Sequence, residues 1–314
     1  MNFTCAPKLF FDDFITFADR SMDYLNLVNG AHYYRHKKGY LAYYKLAFNC
    51  YAVISLPLSD PHDYQNIIFD FLNAFPFTTF YAIPAEIAFL LMNHSFTVTP
   101  FASEHYFSLQ TTSYNLFSSS YLKDAWRHQT SFKFVWQDYH SLPLDERIHL
   151  DRSWFNKFRH KETYDFLIRR PPTGVEKDVC CLAAYKDHRL VAYQLFDPLY
   201  KKSVIKGYHA SLLRFYRQEP YVSSLLLMHA FFYFKKLGYH SLSLGILPFA
   251  NLPIFPNFYS LLFSFLSFLN YPYSFKNVLN HRLHFKASSF LHYIAFPKSF
   301  SFRSLTAAWI KMRS

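Results

Sequence analysis

Residues 203–252, SVIKGYHASLLRFYRQEPYVSSLLLMHAFFYFKKLGYHSLSLGILPFANL, decide how the chain is read. Val204 to Leu213 is rich in β-forming residues, and Arg214 to Pro220 is a polar connection without a regular period. From Ser223 to Lys236, the residues Leu226, Leu227, Ala230, Phe231 and Phe234 recur at helical spacing on one face. Lys235 and Lys236 fall in the last turn, where cations suit the negative end of the helix dipole. Gly238 stands where a helix ends on a left-handed residue, and Ser241 to Leu247 reads as a short apolar strand. The order is strand, loop, helix, strand.

A helix N-terminus presents unpaired amide donors, so the loop before this helix is a place where a substrate anion can be held. The arrangement is similar to the substrate-binding core of the N-acetyltransferase-like fold. Acetyl-CoA enzymes of that fold carry glycines in this loop, which let the backbone approach a pyrophosphate. Here the loop is Arg217-Gln218-Glu219-Pro220-Tyr221-Val222, with no glycine and a proline that removes one donor. That speaks against a pyrophosphate cradle. An ordinary αβ unit with no ligand at the loop is the plain alternative.

The chain of 314 residues is long enough for two domains, and 51% apolar and 22% aromatic residues are enough for real cores. A net charge of +12 points to a polyanionic partner, nucleic acid phosphates or an anionic membrane surface, unless it serves solubility alone. The four cysteines show no metal-ligand spacing, and no metal or cofactor is expected. Adjacent Cys180 and Cys181 sit in a strand-like run and are expected on opposite faces of it, in a core. The N-terminus carries Asp12 and Asp13 where a signal peptide would be apolar. A cytoplasmic location is expected, with peripheral contact to the inner face of the cytoplasmic membrane. Ile254 to Leu269 is apolar, but its continuous part is shorter than the roughly 20 residues of a span. It reads either as a buried helix or as a face that dips into a bilayer surface.

In order, Phe10 to Asn29 reads as one amphipathic helix. Tyr33 to Lys45 mixes tyrosines with cations, either a solvated hairpin around Lys38-Gly39 or a surface for phosphates and bases. Leu46 to Leu56 is an expected strand, and Ser59-Asp60-Pro61 a turn capping a helix that runs to about Phe75. Thr78 to Ile83 is the next strand, Pro84 to Asn93 the next helix, and Phe96–Thr99 and His105–Gln110 two further strands. A strand is expected at Phe132 to Trp136, a helix at Leu150 to Phe166, and a hairpin from Val179–Tyr185 and Arg189–Phe196. Near the end, His281, Arg282, His284 and Lys286 lie close together before a strand from Phe290 to Phe296. No Asp or Glu follows Glu219, so an anionic ligand or a solvated face must relieve their repulsion.

Together these stretches resemble the cytosolic catalytic domain of aminoacyl-phosphatidylglycerol synthases, from about Tyr33 to Pro297. Gly238, Tyr239, Gly245, Pro248 and Leu252 match its "GY" turn and "NLGMAPLSGL" strand. Leu212-Leu213-Arg214 matches the end of its "DLMR" element, and Pro220 a proline before its helix. Tyr273-Ser274-Phe275, Phe285, Tyr293, Ala295 and Pro297 fit its terminal "YSF…FKxKF…WxxRYLAYP" segment. Two expected carboxylates are replaced, by Ser211 and Leu225, and two expected lysines by Arg282 and His284.

The resemblance implies an α/β fold of tandem N-acetyltransferase-like domains, each a mixed sheet flanked by helices. The expected limits are 1–125 for the first, 126–150 for a connecting segment and 151–314 for a second that carries the active site. It implies an aminoacyltransferase taking its amino acid from aminoacyl-tRNA to the hydroxyl of a phosphatidylglycerol-like anionic phospholipid. A member that has lost turnover and binds tRNA or membrane is the alternative, and an acyl-CoA enzyme is a third. The candidate catalytic residues are His209, Ser211 and His284. Arg214, Arg217, Asn251, Arg282 and Lys286 are candidates for substrate binding.

Overall fold

Alternation of side chains across extended backbone, and capping at helix starts, set the elements. The protein, seen in a computed structural model, is described at residues 8–111, 119–155, 169–249, 252–253, 258, 275–298 and 306–307. The expected N-terminal helix is two, α1 (Lys8–Phe17) and α2 (Ser21–Val28). The chain breaks because Arg20 is extended and its N–H donates to the Asp23 carboxylate at 3.0 Å, which starts the second helix. A hairpin follows, β1 (His32–His36) and β2 (Gly39–Lys45). The expected strand at 46–56 shrinks to β3 (Tyr51–Val53), since Phe48 and Asn49 take left-handed dihedrals and turn the chain. Asp60 accepts from His62 N at 3.0 Å ahead of α3 (Tyr64–Ala74), and β4 (Thr78–Ile83) and α4 (Ala85–Met92) lie where the pattern puts them.

The two strands expected at 96–99 and 105–110 are one, β5 (Phe96–Ser108). Pro100 is tolerated inside it because the opposite strand shifts register beside it. Ser119 caps α5 (Ser120–Arg127), and β6 (Lys133–Gln137) and α6 (Leu144–Phe155) follow. α6 starts six residues before the expected Leu150, with Asp145 and Glu146 in its first turn, and residues 156–168 lie outside the described part. The long hairpin β7 (Cys180–Lys186) and β8 (Arg189–Lys201) leads into β9 (Val204–Phe215), α7 (Val222–Lys236) and β10 (Ser241–Pro248). Gly238 closes α7 at φ 82°. Last come α8 (Phe275–Leu283) and β11 (Ser288–Pro297).

The eleven strands among the described residues form one mixed sheet in the order β1-β2-β3-β4-β11-β5-β10-β9-β8-β7-β6. β3 and β4, and β9 and β10, run parallel; the other pairs are antiparallel. Where two sheets were expected, the strands are continuous across the β5/β10 seam. β11, late in the chain, inserts between β4 and β5.

Helices cover both faces, and the alternation is visible residue by residue. Val53, Phe80 and Ala295 pack with Ile67 and Phe71 of α3 and Leu91 of α4. Their neighbours Ala52, Tyr81 and Ile294 pack with Met22 and Leu25 of α2. In the other half, Leu182, Ala184 and Tyr208 meet Phe231 and Phe234 of α7, whereas Cys181, Ala183 and Leu212 meet Leu150 of α6. Cys180 and Cys181 thus serve opposite faces, as the sequence requires. No helix among the described residues is long and apolar enough to cross a membrane. The apolar stretch 254–269 lies outside the described residues except for Phe258.

Candidate functional site

Parallel pairing joins β9 to β10 at three positions, Gly207 with Ser241, Tyr208 with Leu242 and His209 with Ser243. Beyond Ser243, β10 shifts register and continues along β5, so the two strands part at His209. Gly245 turns the corner at φ 81°. A β-carbon there would stand 2.6 Å from His209 Nε2, so glycine is required both for the dihedral and for the ring. Arg282 of α8 reaches into the fork and donates from Nη1 to the Gly245 carbonyl at 2.7 Å.

From the fork a hydrogen-bonded line crosses four strands. Gly245 N donates to Ser243 Oγ at 3.0 Å, and Ser243 Oγ donates to Glu104 Oε1 at 2.7 Å. His292 Nε2 is 3.2 Å from Glu104 Oε2, and His292 Nδ1 is 2.9 Å from the carbonyl of Ala82. Burial alone would raise the Glu104 carboxyl, but hydrogen bonds from His292 and Ser243 and the pull of His292 outweigh it and hold it at about 2. Behind His209, Asp197 accepts from Arg169 Nε at 3.1 and 3.2 Å, and Arg169 also binds Glu176.

Three imidazoles near Arg282 are kept neutral. Burial lowers His209, opposed by Asp197 and Glu104 and assisted by Arg282. Burial and then Arg282 bring His105 down to about 4, and burial, Arg282 and His284 bring His281 to about 4. His281 Nε2 lies 2.8 Å from Ser224 Oγ, at the start of α7. His209 Nδ1 is buried without a hydrogen-bond partner among the described residues. A neutral imidazole with a spare lone pair can accept a proton at neutral pH.

The residues singled out in the sequence separate in space. His209 and Arg282 meet at the fork through Gly245. His284 stacks on Tyr121 at 4.5 Å, one end of a run of rings continued by Tyr221 and His128 beside the 217–221 loop. Lys286 is exposed in the turn before β11, and Arg217 is exposed in the loop before α7. Ser211 Oγ faces β8, 3.4 Å from the carbonyl of Leu195. Arg214 is turned inward: its Nε donates to Asp151 of α6 at 3.0 Å, and its guanidinium lies 3.9 Å over the Trp154 ring. Asn251 lies outside the described residues, and Leu225 is buried in α7.

Sequence reasoning did not single out Glu104, His292, Ser243 or the Asp197–Arg169 pair. The one signal was a pair of adjacent ionisable residues, Glu104-His105, inside an otherwise apolar and small-residue strand.

The family described as phosphatidylglycerol lysyltransferase, C-terminal, matches residues 15–296. No curated protein matches the chain. Among solved structures, the fold is similar to L-PGS from Bacillus licheniformis, with a TM-score of 0.78 at 16% identity over 98% of this chain and 95% of that one. It is similar to the C-terminal DUF2156 domain of a protein described as a lysylphosphatidylglycerol synthetase from Agrobacterium fabrum. That match has a TM-score of 0.74 at 16% identity, over 94% of this chain and 93% of that one. A protein of unknown function from Bacteroides thetaiotaomicron follows at a TM-score of 0.55 and 7% identity, covering 91% of this chain and 92% of that one.

Proposed function

This chain belongs to the phosphatidylglycerol lysyltransferase C-terminal family, and on that premise we propose that it moves an amino acid from aminoacyl-tRNA to a hydroxyl of a phosphatidylglycerol-like anionic lipid. The observation that carries the reading is the fork, where a neutral histidine and an arginine face strands that have parted. We read the continuous sheet as two N-acetyltransferase-like halves fused along β5 and β10, with the reaction at the fork beside their seam. The tRNA lies on basic surface, and the lipid is met at the membrane by peripheral contact.

The donor ester is already activated, so the chain's task is to place two substrates and manage one proton. The acceptor hydroxyl oxygen bonds to the ester carbonyl carbon while His209 takes the hydroxyl proton. The tetrahedral intermediate collapses, the bond from carbon to the ribose oxygen breaks, and that oxygen receives the proton back. Arg282 stands nearby to offset negative charge on the carbonyl oxygen or on a substrate phosphate. His284, Lys286 and Arg217 are positioned for contacts with phosphates around this centre. Arg214 acts as a strut between β9 and α6.

The test is incubation of the purified protein with a panel of radiolabelled aminoacyl-tRNAs and anionic liposomes, following label into lipid. Transfer from one tRNA is expected, with His209→Ala lowering kcat by about 10²–10⁴-fold. Binding of tRNA or liposomes without transfer would replace the enzyme by a binding module.

A further inference from the structure

β8 is buried from Leu190 to Tyr200, and Asp197 is the one charge in that run. Its place is set by where the neighbouring strand ends. β7 begins at Cys180, opposite Phe196, so β8 has no β7 partner at Asp197 or Pro198. That free edge tolerates the proline and lets Arg169, from the segment before β7, reach the carboxylate. On its other edge Asp197 pairs with His209 of β9, in the regular block between two register shifts. Directly opposed residues of an antiparallel pair lie on one face, with β-carbons about 4.5–5.5 Å apart. The carboxylate and the imidazole are therefore neighbours.

The ring of His209 presents Nε2 to the fork, where a β-carbon on Gly245 would lie 2.6 Å away. To take a proton at Nε2, the neutral ring must carry its hydrogen on Nδ1. Nδ1 is buried without a hydrogen-bond partner among the described residues, so neighbouring charge has to select this tautomer. The charged groups facing the ring are Asp197 of β8, Glu104 of β5, Arg282 of α8 and Arg169. The two carboxylates favour an imidazolium, Asp197 more than Glu104, and the two cations oppose it. His105, opposite Gly245 on β5, is held at about 4 by burial and then Arg282, and adds no charge at neutral pH. Glu104 is already engaged by His292, Ser243 and Ser21.

We propose that Asp197, held by Arg169, is the positioning residue for His209: it selects the ring with hydrogen on Nδ1 and offsets the imidazolium formed at Nε2. The proposal rests on the transferase reading. Asp197 stays ionised throughout and exchanges no proton. The proton passes from the acceptor hydroxyl to Nε2, and from Nε2 to the ribose oxygen that leaves. Taking a carboxylate and a guanidinium out of water often costs more than their contact returns, so stability is a weak reason for this pair. Its use is an anion kept dry behind the base. Glu176 supplies the contrast, since it meets the same guanidinium but is not among the charges facing His209.

Nitrogen NMR of the full chain labelled at histidine reports the tautomer, with His209→Gln assigning the signal. Hydrogen on Nδ1 is expected in the wild type, and a shift toward hydrogen on Nε2 in Asp197→Asn. In that variant the single-turnover rate of transfer from aminoacyl-tRNA should fall about 10²–10⁴-fold, with donor affinity changed less than about twofold. Asp197→Glu should recover part of the rate. Glu176→Gln loosens the same segment and should leave tautomer and rate near those of the wild type. Thermal melts report whether each variant is folded. If Asp197→Asn unfolds, the wild-type tautomer and the rate of Asp197→Glu decide. Hydrogen on Nε2 in the wild type, an unchanged tautomer in folded Asp197→Asn, or equal losses in Asp197→Asn and Glu176→Gln overturns the assignment. Full transfer by folded Asp197→Asn overturns it while leaving the transferase standing. An Asp197-dependent tautomer without transfer from any tRNA keeps the pairing and overturns the transferase.

Discussion

At the scale of single residues, the fork is built on groups kept neutral by burial beside one arginine. His105 and His281, at about 4, sit well below the ordinary histidine range of about 6.5. Between those values the unfolded chain binds protons that the folded protein refuses, so each contributes stability above about pH 6.5 that is lost as pH falls toward 4. Asp23 works in the opposite sense: burial raises it to about 8, so it favours the fold at lower pH and loses that contribution as pH rises from about 4 to 8. Replacing His281 by Phe should remove one refused proton. The slope of unfolding free energy between pH 6.5 and 4 should then be shallower by up to about 1.4 kcal/mol per pH unit, read from urea midpoints along the pH series. At this scale the sequence was half legible. His209 and Arg282 stood out as residue types with a role. Glu104 and His292, which bond to each other, come from strands brought together by long-range pairing, which local periodicity does not record.

At the scale of elements, what the sequence displayed is what local physics dictates. α7 and β10 fall within a residue of their expected limits because helical spacing, last-turn lysines and Gly238 all act locally. The misjudged elements are those that periodicity does not record: the break before α2, set by the Arg20–Asp23 cap; the shortened β3, set by left-handed dihedrals at Phe48 and Asn49; and β5 running through Pro100, settled by its long-range partner strand. Arg214 belongs to the same lesson. Nothing near it in sequence announces Asp151, yet that pair ties β9 to α6, and Tyr193 Oη donates to the same carboxylate at 2.7 Å. Asp151→Ala strands a buried guanidinium and should cost about 3–5 kcal/mol, visible as a lowered thermal midpoint. A mild change, with transfer reduced at normal stability, would instead give Arg214 a place in substrate binding.

At the scale of the whole molecule, the net charge of +12 is unevenly placed, since no Asp or Glu follows Glu219. For an extended polyanion, affinity then depends on counterion release. Binding of tRNA should fall about 10²-fold between about 50 and 200 mM salt if some four phosphates are contacted, measured by fluorescence titration. A flat salt response would point away from a nucleic acid donor. The insertion of β11 has a consequence for the chain while it is being made. Some 180 residues separate the end of β5 at Ser108 from the start of β11 at Ser288. At about 5–20 residues per second, a ribosome needs about 10–40 s to cover that distance. Throughout that interval β4 and β5 stand with a strand's width open between them, two unsatisfied edges in a newborn polypeptide. Until β11 emerges, those two edges lack the strand that joins them, so aggregation of the nascent protein is a predicted hazard of that interval.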